Sequence, residues 1–562
     1  MNDEKGTCKI YNHSNLLISF LLFIQCIAKK SRLIVLSFWI VVLIGLLFWW
    51  KTTEVYRANL PFSEIDAWYS QQACNFVVPT RFNIYIPSQL EKTHLSTQIQ
   101  ERVLDRIRYK QNFPIHINIY DSEKDQYDNN TAVGSYLIYI NQSDKARLYV
   151  GSERVSYLDL MDTSAGGYMN STQRSMLFTT FIDSIVNALE SVILPIYLSD
   201  TDNLQRIACH GQEKKNDVSS MRTLKYAPEY EITVSLLNNN PENMKMDWEI
   251  REALNGYLNP FLQQISELSN FSINSQIQNY APLSLKPKYK ERIGKPNYYY
   301  FEPQHLPHFV NSAEWNLAST VTSSPNINFI LYIPSQEETP LRIHDTKGQP
   351  LLTNSFLIPR WGGIVIKNPP RSAVDSYKLT RADLQPIMKT FLSQLRGLIG
   401  VKDLDVLGKS ISFPVEFEAA KRTGITALEK DNLIRTRTLE NVANTISTLK
   451  SLGQLVDEIP NMVVQDHISS KVQQSLNCLD AVRQSLEHED FMDALRHSIE
   501  AIELAEKAFF DPTMVSMLYF PDEHKYAIYM PLFVPTSVPL ISALIKEIKK
   551  LKKKKAEKVK EE

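Results

Sequence analysis

Two apolar runs, one near each end, constrain this chain more than anything between them. The first, LIVLSFWIVVLIGLLFWW at 33–50, carries no charge and ends in a tryptophan pair. That is the composition of a membrane-crossing helix with an interfacial aromatic edge. Lys29, Lys30 and Arg32 precede it and only Lys51 follows at its far edge, so the positive charge places residues 1–32 in the cytosol. A cleaved signal peptide fits less well: its apolar core is shorter, and WWKTTE offers no small residues at a cut site. The second run, YAIYMPLFVPTSVPLISALI at 526–545, is also uncharged but contains Pro531, Pro535 and Pro539. Proline removes a backbone donor, yet membrane helices tolerate it where neighbouring helices or water satisfy the freed carbonyls. Lys546, Lys549, Lys550 and Lys552 to Lys555 follow this run against Lys525 alone before it. A cytosolic lysine-rich tail at 546–562 and a large section at 51–525 on the opposite side of the membrane are therefore expected. A shorter apolar patch, 16–28, is too short to span comfortably; an interfacial placement, a re-entrant one and a misplaced start all fit it.

The middle section reads as ordinary folded protein. Of 562 residues, 43% are hydrophobic and 22% charged, enough for a substantial buried core. A net charge of -1 gives no case for nucleic acid, and 17 glycines leave little room for phosphate loops. No Walker or dinucleotide fingerprint occurs, so no cofactor is expected.

Compartment signals agree with a secretory lumen. Asn129, Asn141, Asn170 and Asn270 head N-x-S/T triplets in the middle section; Asn12 heads another, on the side expected to be cytosolic. Cys74, Cys209 and Cys478 fall in the same section, an odd number that makes no disulfide framework and leaves any pairing among them open. The chain closes with KVKEE, where Lys558 and Lys560 fit a cytosolic dilysine retrieval signal of the endoplasmic reticulum.

From Arg81 the pattern is strand (RFNIYIP), helix (93–109), strand (FPIHINIY). The order recurs with YEITVSLL, a helix over 246–268 and a strand at 271–277, followed by INFILYIP and GGIVIKN. The pentapeptide YIPSQ occurs at 85–89 and 332–336, a hint of two related halves. Such alternation predicts an α/β fold with a large lumenal mixed sheet over 51–430. Residues 431–525 then read as helices carrying apolar stripes: Leu439, Val442 and Ile446, then Ile468, Val472 and Leu476, then Phe491, Leu495 and Ile499. The expected architecture is thus a lumenal α/β domain with a C-terminal helical bundle, flanked by transmembrane helices at 33–50 and 526–545.

Candidate chemistry is thin. Gln72-Ala73-Cys74 begins like a caspase nucleophile motif, but Asn75-Phe76 follows, and the region where a partner histidine belongs is membrane and cytosol. Cys209-His210 are adjacent, which in a strand points them to opposite faces. His305 and His308 (HLPH) are two possible metal ligands without a third. No G-x-S-x-G or H-E-x-x-H occurs. Trp361 in PRWGGIVI fits either a docking surface or a buried cap on the sheet.

Several pieces carry a resemblance: WWKTTEVYRANLPFSEI, YEITVSLLN, NFSINSQI, LPHFVN, PRWGGIVI and AFFDPTMVSMLYFPDEHKYAIYMPLFVPTSVPL. In this order, from Trp49 to Leu540, they resemble the PIG-S family of glycosylphosphatidylinositol (GPI) transamidase subunits. The resemblance implies a multi-pass protein of the endoplasmic reticulum membrane with no catalytic and no metal residue of its own. It would sit in a complex that attaches a preformed GPI lipid to the C-terminus of precursor proteins. Catalysis would belong to a cysteine-protease-like subunit, PIG-K, with PIG-T, PIG-U and the GPI-anchor-attachment subunit as further partners. Asn270, in the family's NFS piece, is the foremost glycan candidate. The apolar patch at 16–28 departs from the family. In this setting Lys29 and Arg32 would meet anionic headgroups, and Pro531, Pro535 and Pro539 would shape a helix for packing against membrane neighbours. Two rivals stay open: a lumenal cysteine hydrolase or transamidase in its own right, and a free-standing lumenal adaptor.

Overall fold

The computed structural model describes residues 33–48, 51, 56–70, 75–86, 101, 114–121, 132–161, 180, 182–198, 223–294, 296–310, 315, 317, 324–370, 375–459, 462–516 and 522–561. They fall into two compact units. One comprises Phe62–Ser451 and Val472–Glu506; the other comprises Met1–Pro61, Leu452–Lys471 and Lys507–Glu562.

The first unit contains two sheets of the same plan. β1 (Thr80–Ile86), β2 (Ile115–Asp121), β3 (Ser135–Ser143), β4 (Arg147–Val150) and β5 (Val155–Met161) align in the order β4-β5-β3-β1-β2. All neighbours are parallel except the β4–β5 hairpin. Alternating apolar positions bury one face, Phe82, Ile84, Ile138 and Leu158, under Ile185, Leu189 and Ile193 of α1 (182–197).

The second half of the unit contributes β6 (Glu229–Asn238), β7 (Met244–Trp248), α2 (250–264), β8 (Asn270–Asn279), β9 (Lys288–Lys290), β10 (Tyr298–Phe301), β11 (Asn326–Ile333), β12 (Leu341–Ile343), β13 (Ser355–Ile358), β14 (Gly362–Ile366), β15 (Asp375–Leu379) and α3 (Arg381–Ile399). Its main sheet has the order β13-β14-β11-β6-β8, again parallel but for one hairpin, β13–β14. In both sheets the first strand is internal, the second lies beside it at the edge, and the hairpin closes the far side. A smaller sheet, β12-β10-β9, and the pair β15-β7 complete this half. β16 (Val415–Phe417) then returns the chain to the first sheet beside β4.

Two sequence expectations change here. The helix expected over 246–268 starts later, because MKMDW alternates buried and exposed as β7 and pairs with β15. The duplicated plan is present, but YIPSQ does not mark it. Tyr85 belongs to β1 and Tyr332 to β11, whereas the topological counterpart of β1 is β6. The helix expected over 93–109 lies outside the described residues apart from residue 101.

After β16 come α4 (Ala427–Glu458), α5 (Asp466–Glu487) and α6 (Phe491–Phe509), with the stripe positions Leu439, Val442, Ile446, Val472, Leu476, Phe491 and Leu495 buried. In the smaller unit, the Tyr56 hydroxyl donates to Asp466 (2.7 Å), and the Ala58 amide donates to the Val464 carbonyl (2.8 Å). The C-terminal α7 runs unbroken over Asp522–Glu561, through all three prolines and beyond residue 545 into the lysine tail. Lysine, glutamate and alanine are good helix formers, and the Glu547–Lys550 pair at i,i+3 supports the extension. Among the described residues, no helix is long and apolar enough to cross a membrane. Residues 33–48 are helical, and large apolar side chains on this helix and on α7 are exposed, among them Leu47 (73%) and Ile528 (59%).

Candidate functional site

The first unit is locked by charged side chains on the opening turns of α4. Thr426 and Glu429 form a reciprocal cap: the Glu429 carboxylate accepts from the Thr426 amide (2.9 Å), and the Thr426 hydroxyl from the Glu429 amide (3.3 Å). Glu429 also takes a two-pronged contact from Arg396 of α3 (2.7 and 3.2 Å). Two residues on, Asp431 is wholly buried and accepts from Arg154 (2.8 and 2.7 Å) and from the Gly134 amide (3.3 Å). Arg437 donates to the carbonyls of Ile399 (2.7 Å) and Leu224 (3.1 Å). Arg435, also buried, lies over the Phe491 ring (5.0 Å) and the Tyr136 ring (5.9 Å). α4 is therefore a key whose charges engage both α/β halves.

The face of the first sheet opposite its core carries a row of tyrosines that sequence reasoning missed. Tyr120, Tyr85, Tyr139, Tyr157 and Tyr149 are in register across β2, β1, β3, β5 and β4. Consecutive ring centroids lie 5.2, 4.8, 5.5 and 6.3 Å apart. The available signal was a tyrosine at a matching alternate position in each strand; register, which only pairing decides, turned five tyrosines into one row.

A groove of about 830 Å³ runs beside the second sheet, between α2 and β8. Positions 251, 254, 255, 259, 262 and 263 of α2 line one wall, the spacing of a single helix face, with 266 just past its end, and 229, 270, 271, 273 and 275 supply the other. Leu254–Leu258 within α2 is a π-helical turn, a local widening common at binding surfaces.

The expected site residues are dispersed. Asn270 is exposed as the first residue of β8, at the sheet edge and in the groove wall. Asn141 is exposed near the end of β3, but its amide donates to Asp159 (3.3 Å), which also holds Arg147 (2.7 Å). Asn129, Asn170, Lys29, Arg32, Cys74 and Cys209 lie outside the described residues. Pro531, Pro535 and Pro539 are exposed on α7, and Lys558 and Lys560 belong to its last turns. Cys478 on α5 is a free thiol whose pKa is pushed up to about 11 by burial and by the neighbouring Glu500 carboxylate, which disfavours the nucleophilic thiolate. His305 stands 4.0 Å from Glu302, and the His308 carbonyl accepts from Ser284. Among the described residues no cluster of three metal-ligating side chains forms. Trp361 is half-buried against the second-sheet core. The two glycines after it are explained by crowding: a Cβ at Gly362 would lie 1.8 Å from the Asn328 carbonyl oxygen.

Comparison with known proteins gives this arrangement its context. The family model described as phosphatidylinositol-glycan biosynthesis class S protein matches residues 36–554. The Bos taurus "GPI-anchor transamidase component PIGS" is 32% identical over 532 residues, covering 90% of this chain and 93% of the relative. The Homo sapiens protein of the same name is 32% identical over 540 residues, covering 92% and 95%. The "GPI transamidase component PIG-S homolog" of Schizosaccharomyces pombe is 27% identical over 525 residues, covering 92% and 84%. With a family match running through both α/β halves, the helices after them and most of α7, this chain belongs to the PIG-S family.

Proposed function

We propose that this chain is a non-catalytic subunit of the GPI transamidase of the endoplasmic reticulum, needed to assemble the complex that attaches preformed GPI to precursor C-termini. The observation that carries this reading is the continuous match over residues 36–554 to a family whose curated members are named as transamidase components. The protonated Cys478 thiol supports a structural rather than nucleophilic role for that residue. Catalysis then falls to PIG-K, with PIG-T, PIG-U and the GPI-anchor-attachment subunit as the other partners.

In this reading the chain crosses the membrane at 33–50 and 526–545, both termini cytosolic and residues 51–525 lumenal. The charge-free runs, their lysine-rich flanks and the exposed apolar side chains of both helices support it. Two anchors fix the height and rotation of the lumenal part over the bilayer, which one flexible tether would not. Pro531, Pro535 and Pro539 shape the second span for packing against partner helices; Lys29 and Arg32 meet lipid headgroups, and Lys558 and Lys560 act in retrieval. Asn270 is the glycan acceptor, and Asn141, held by Asp159, is the weaker one; Asn129 and Asn170 are further candidates.

A mild-detergent pull-down of the C-terminally tagged chain, read by mass spectrometry, tests the proposal. Stoichiometric recovery of a cysteine-protease-like chain with membrane partners is expected. A folded, glycosylated chain recovered alone would replace this reading with the free-standing adaptor.

A further inference from the structure

We infer that the groove between α2 and β8 holds the first sugars of a glycan carried by Asn270, which makes the modification a packed part of the second half. The inference rests on the reading of Asn270 as a lumenal acceptor and states what the protein does with the sugar attached there.

The acceptor stands in the wall of the groove that its glycan would fill. Asn270 is exposed and pairs with Glu229 at the first rung of β8, and both residues line the groove. α2 lies in the crossover between the parallel strands β6 and β8, so it runs back along β8 and the groove follows both. From Asn270 to Ser275 the strand wall extends about 17 Å by strand rise. A volume of about 830 Å³ is enough to bury a small-molecule ligand. A sugar chain joined at Asn270 enters at one end and has the length of the groove before it.

The lining suits sugars. A pyranose ring carries an apolar patch of C–H groups and a rim of hydroxyls. Leu254, Leu262, Phe271 and Ile273 supply apolar surface, and Asn255, Asn259, Gln263 and Ser275 supply amides and a hydroxyl. Phe271, next to the acceptor, is stacked on Tyr230 (5.7 Å between centroids, 17° between planes). The Asn259 amide donates to the Asn255 side-chain carbonyl (2.7 Å), which orders that stretch of the rim. Glu229 and Arg251 are the charged groups of the lining; the rest is neutral, as the core sugars of a glycan are.

Tethering supplies the affinity. Single sugar–protein contacts are weak, but a ligand joined through a short link meets its site at an effective concentration of about millimolar. Contacts that would not capture a free sugar therefore hold an attached one.

Digestion of the native complex in mild detergent with peptide N-glycosidase F, read site by site by mass spectrometry, tests this. Release at Asn270 is expected to be about tenfold or more slower from the folded chain than from the denatured one, because the linkage must leave the groove before the enzyme reaches it. Gln263→Arg and Asn255→Arg each fill the groove from the helix wall and should speed native release about tenfold while partners stay bound. Either variant, recovered glycosylated and assembled, suffices. Equal release from native and denatured natural chain would overturn the inference and leave Asn270 a glycan acceptor. Slow release unchanged by groove filling would assign the protection to a partner chain and overturn it too. An unmodified Asn270 in the natural chain would remove the acceptor reading and this inference together.

Discussion

Arg154 and Asp431 stand 277 positions apart in the chain, yet two hydrogen bonds of 2.8 and 2.7 Å join them at the root of α4. Arg154 lies in the bend between β4 and β5 of the first sheet; Asp431 is a wholly buried carboxylate on the helix that also grips Arg396 and Ile399 in the second half. Charged groups usually stay at the surface. Here they specify how the duplicated halves of one unit are keyed to α4, since a buried carboxylate accepts only an arrangement that supplies its donors.

Removing one partner should be costly. Arg154→Met leaves Asp431 buried with, among the described residues, only the Gly134 amide as a donor, and a loss of about 3–5 kcal/mol is expected. The double variant Arg154→Met with Asp431→Leu should recover most of it, because an apolar pair of similar volume needs no compensation. Thermal unfolding of the detergent-solubilised chain checks both; a double variant as unstable as the single would show that the pair matters for something other than its charge.

Gly362 and Gly363 should respond differently to alanine. At Gly362 φ is 150° and the added Cβ would strike backbone, the Asn328 carbonyl oxygen, at the first pair of the β11–β14 register. Strain and overpacking together predict about 2–6 kcal/mol. At Gly363 the obstacle is the end of the Gln394 side chain, which can swing aside at the loss of its 2.9 Å bond to the Phe356 carbonyl, about 1 kcal/mol. Equal losses in the two variants would contradict this account.

Cys478 should be slow to alkylate. With its thiol pKa at about 11, the thiolate fraction at pH 8 is about 0.1%, on the order of a hundredfold below that of an ordinary exposed cysteine. Iodoacetamide labelling followed by peptide mapping measures it. Glu500→Gln removes the nearby negative charge and should speed labelling, and Cys478→Ala should assemble with partners as the natural chain does. Labelling at the rate of free cysteine, or loss of transamidation in Cys478→Ala, would revive a nucleophilic role.

Acid should weaken the smaller unit through Asp511. Burial alone would raise this carboxyl, but hydrogen bonds from the Thr513 hydroxyl, His467, the Thr513 amide and Lys471 outweigh it and hold the group well below the usual carboxylate range. A depressed folded-state pKa contributes stability that is complete above the unfolded value near 3.8 and is lost as pH falls below it. The difference in unfolding temperature between the natural chain and Asp511→Asn should therefore be constant from pH 5 to 8 and shrink below about pH 4. A difference that already shrinks between pH 7 and 5 would assign the effect to another group.

Much of the architecture was legible before any coordinates. RFNIYIP, FPIHINIY, YEITVSLL, INFILYIP and GGIVIKN all fold as strands near the positions their alternation marks, because a half-buried strand needs period-two burial whatever its neighbours are. The stripes through Leu439, Leu476 and Leu495 likewise became buried helix faces. MKMDW failed as helix because five residues are too few to separate the two periods, and pairing with β15 decided the matter.

Sequence by itself determined the local elements, the apolar runs near each end, the sequon at Asn270 and the family, since each depends on residues close together or on a pattern carried along the whole chain. Only the tertiary structure decided which strands are neighbours, and everything that follows from that. The tyrosine row from Tyr120 to Tyr149 and the Arg154–Asp431 lock both join residues far apart in the chain. Strand order and register are cooperative choices of the whole sheet, fixed by the faces that must be buried together, and no window of sequence contains them.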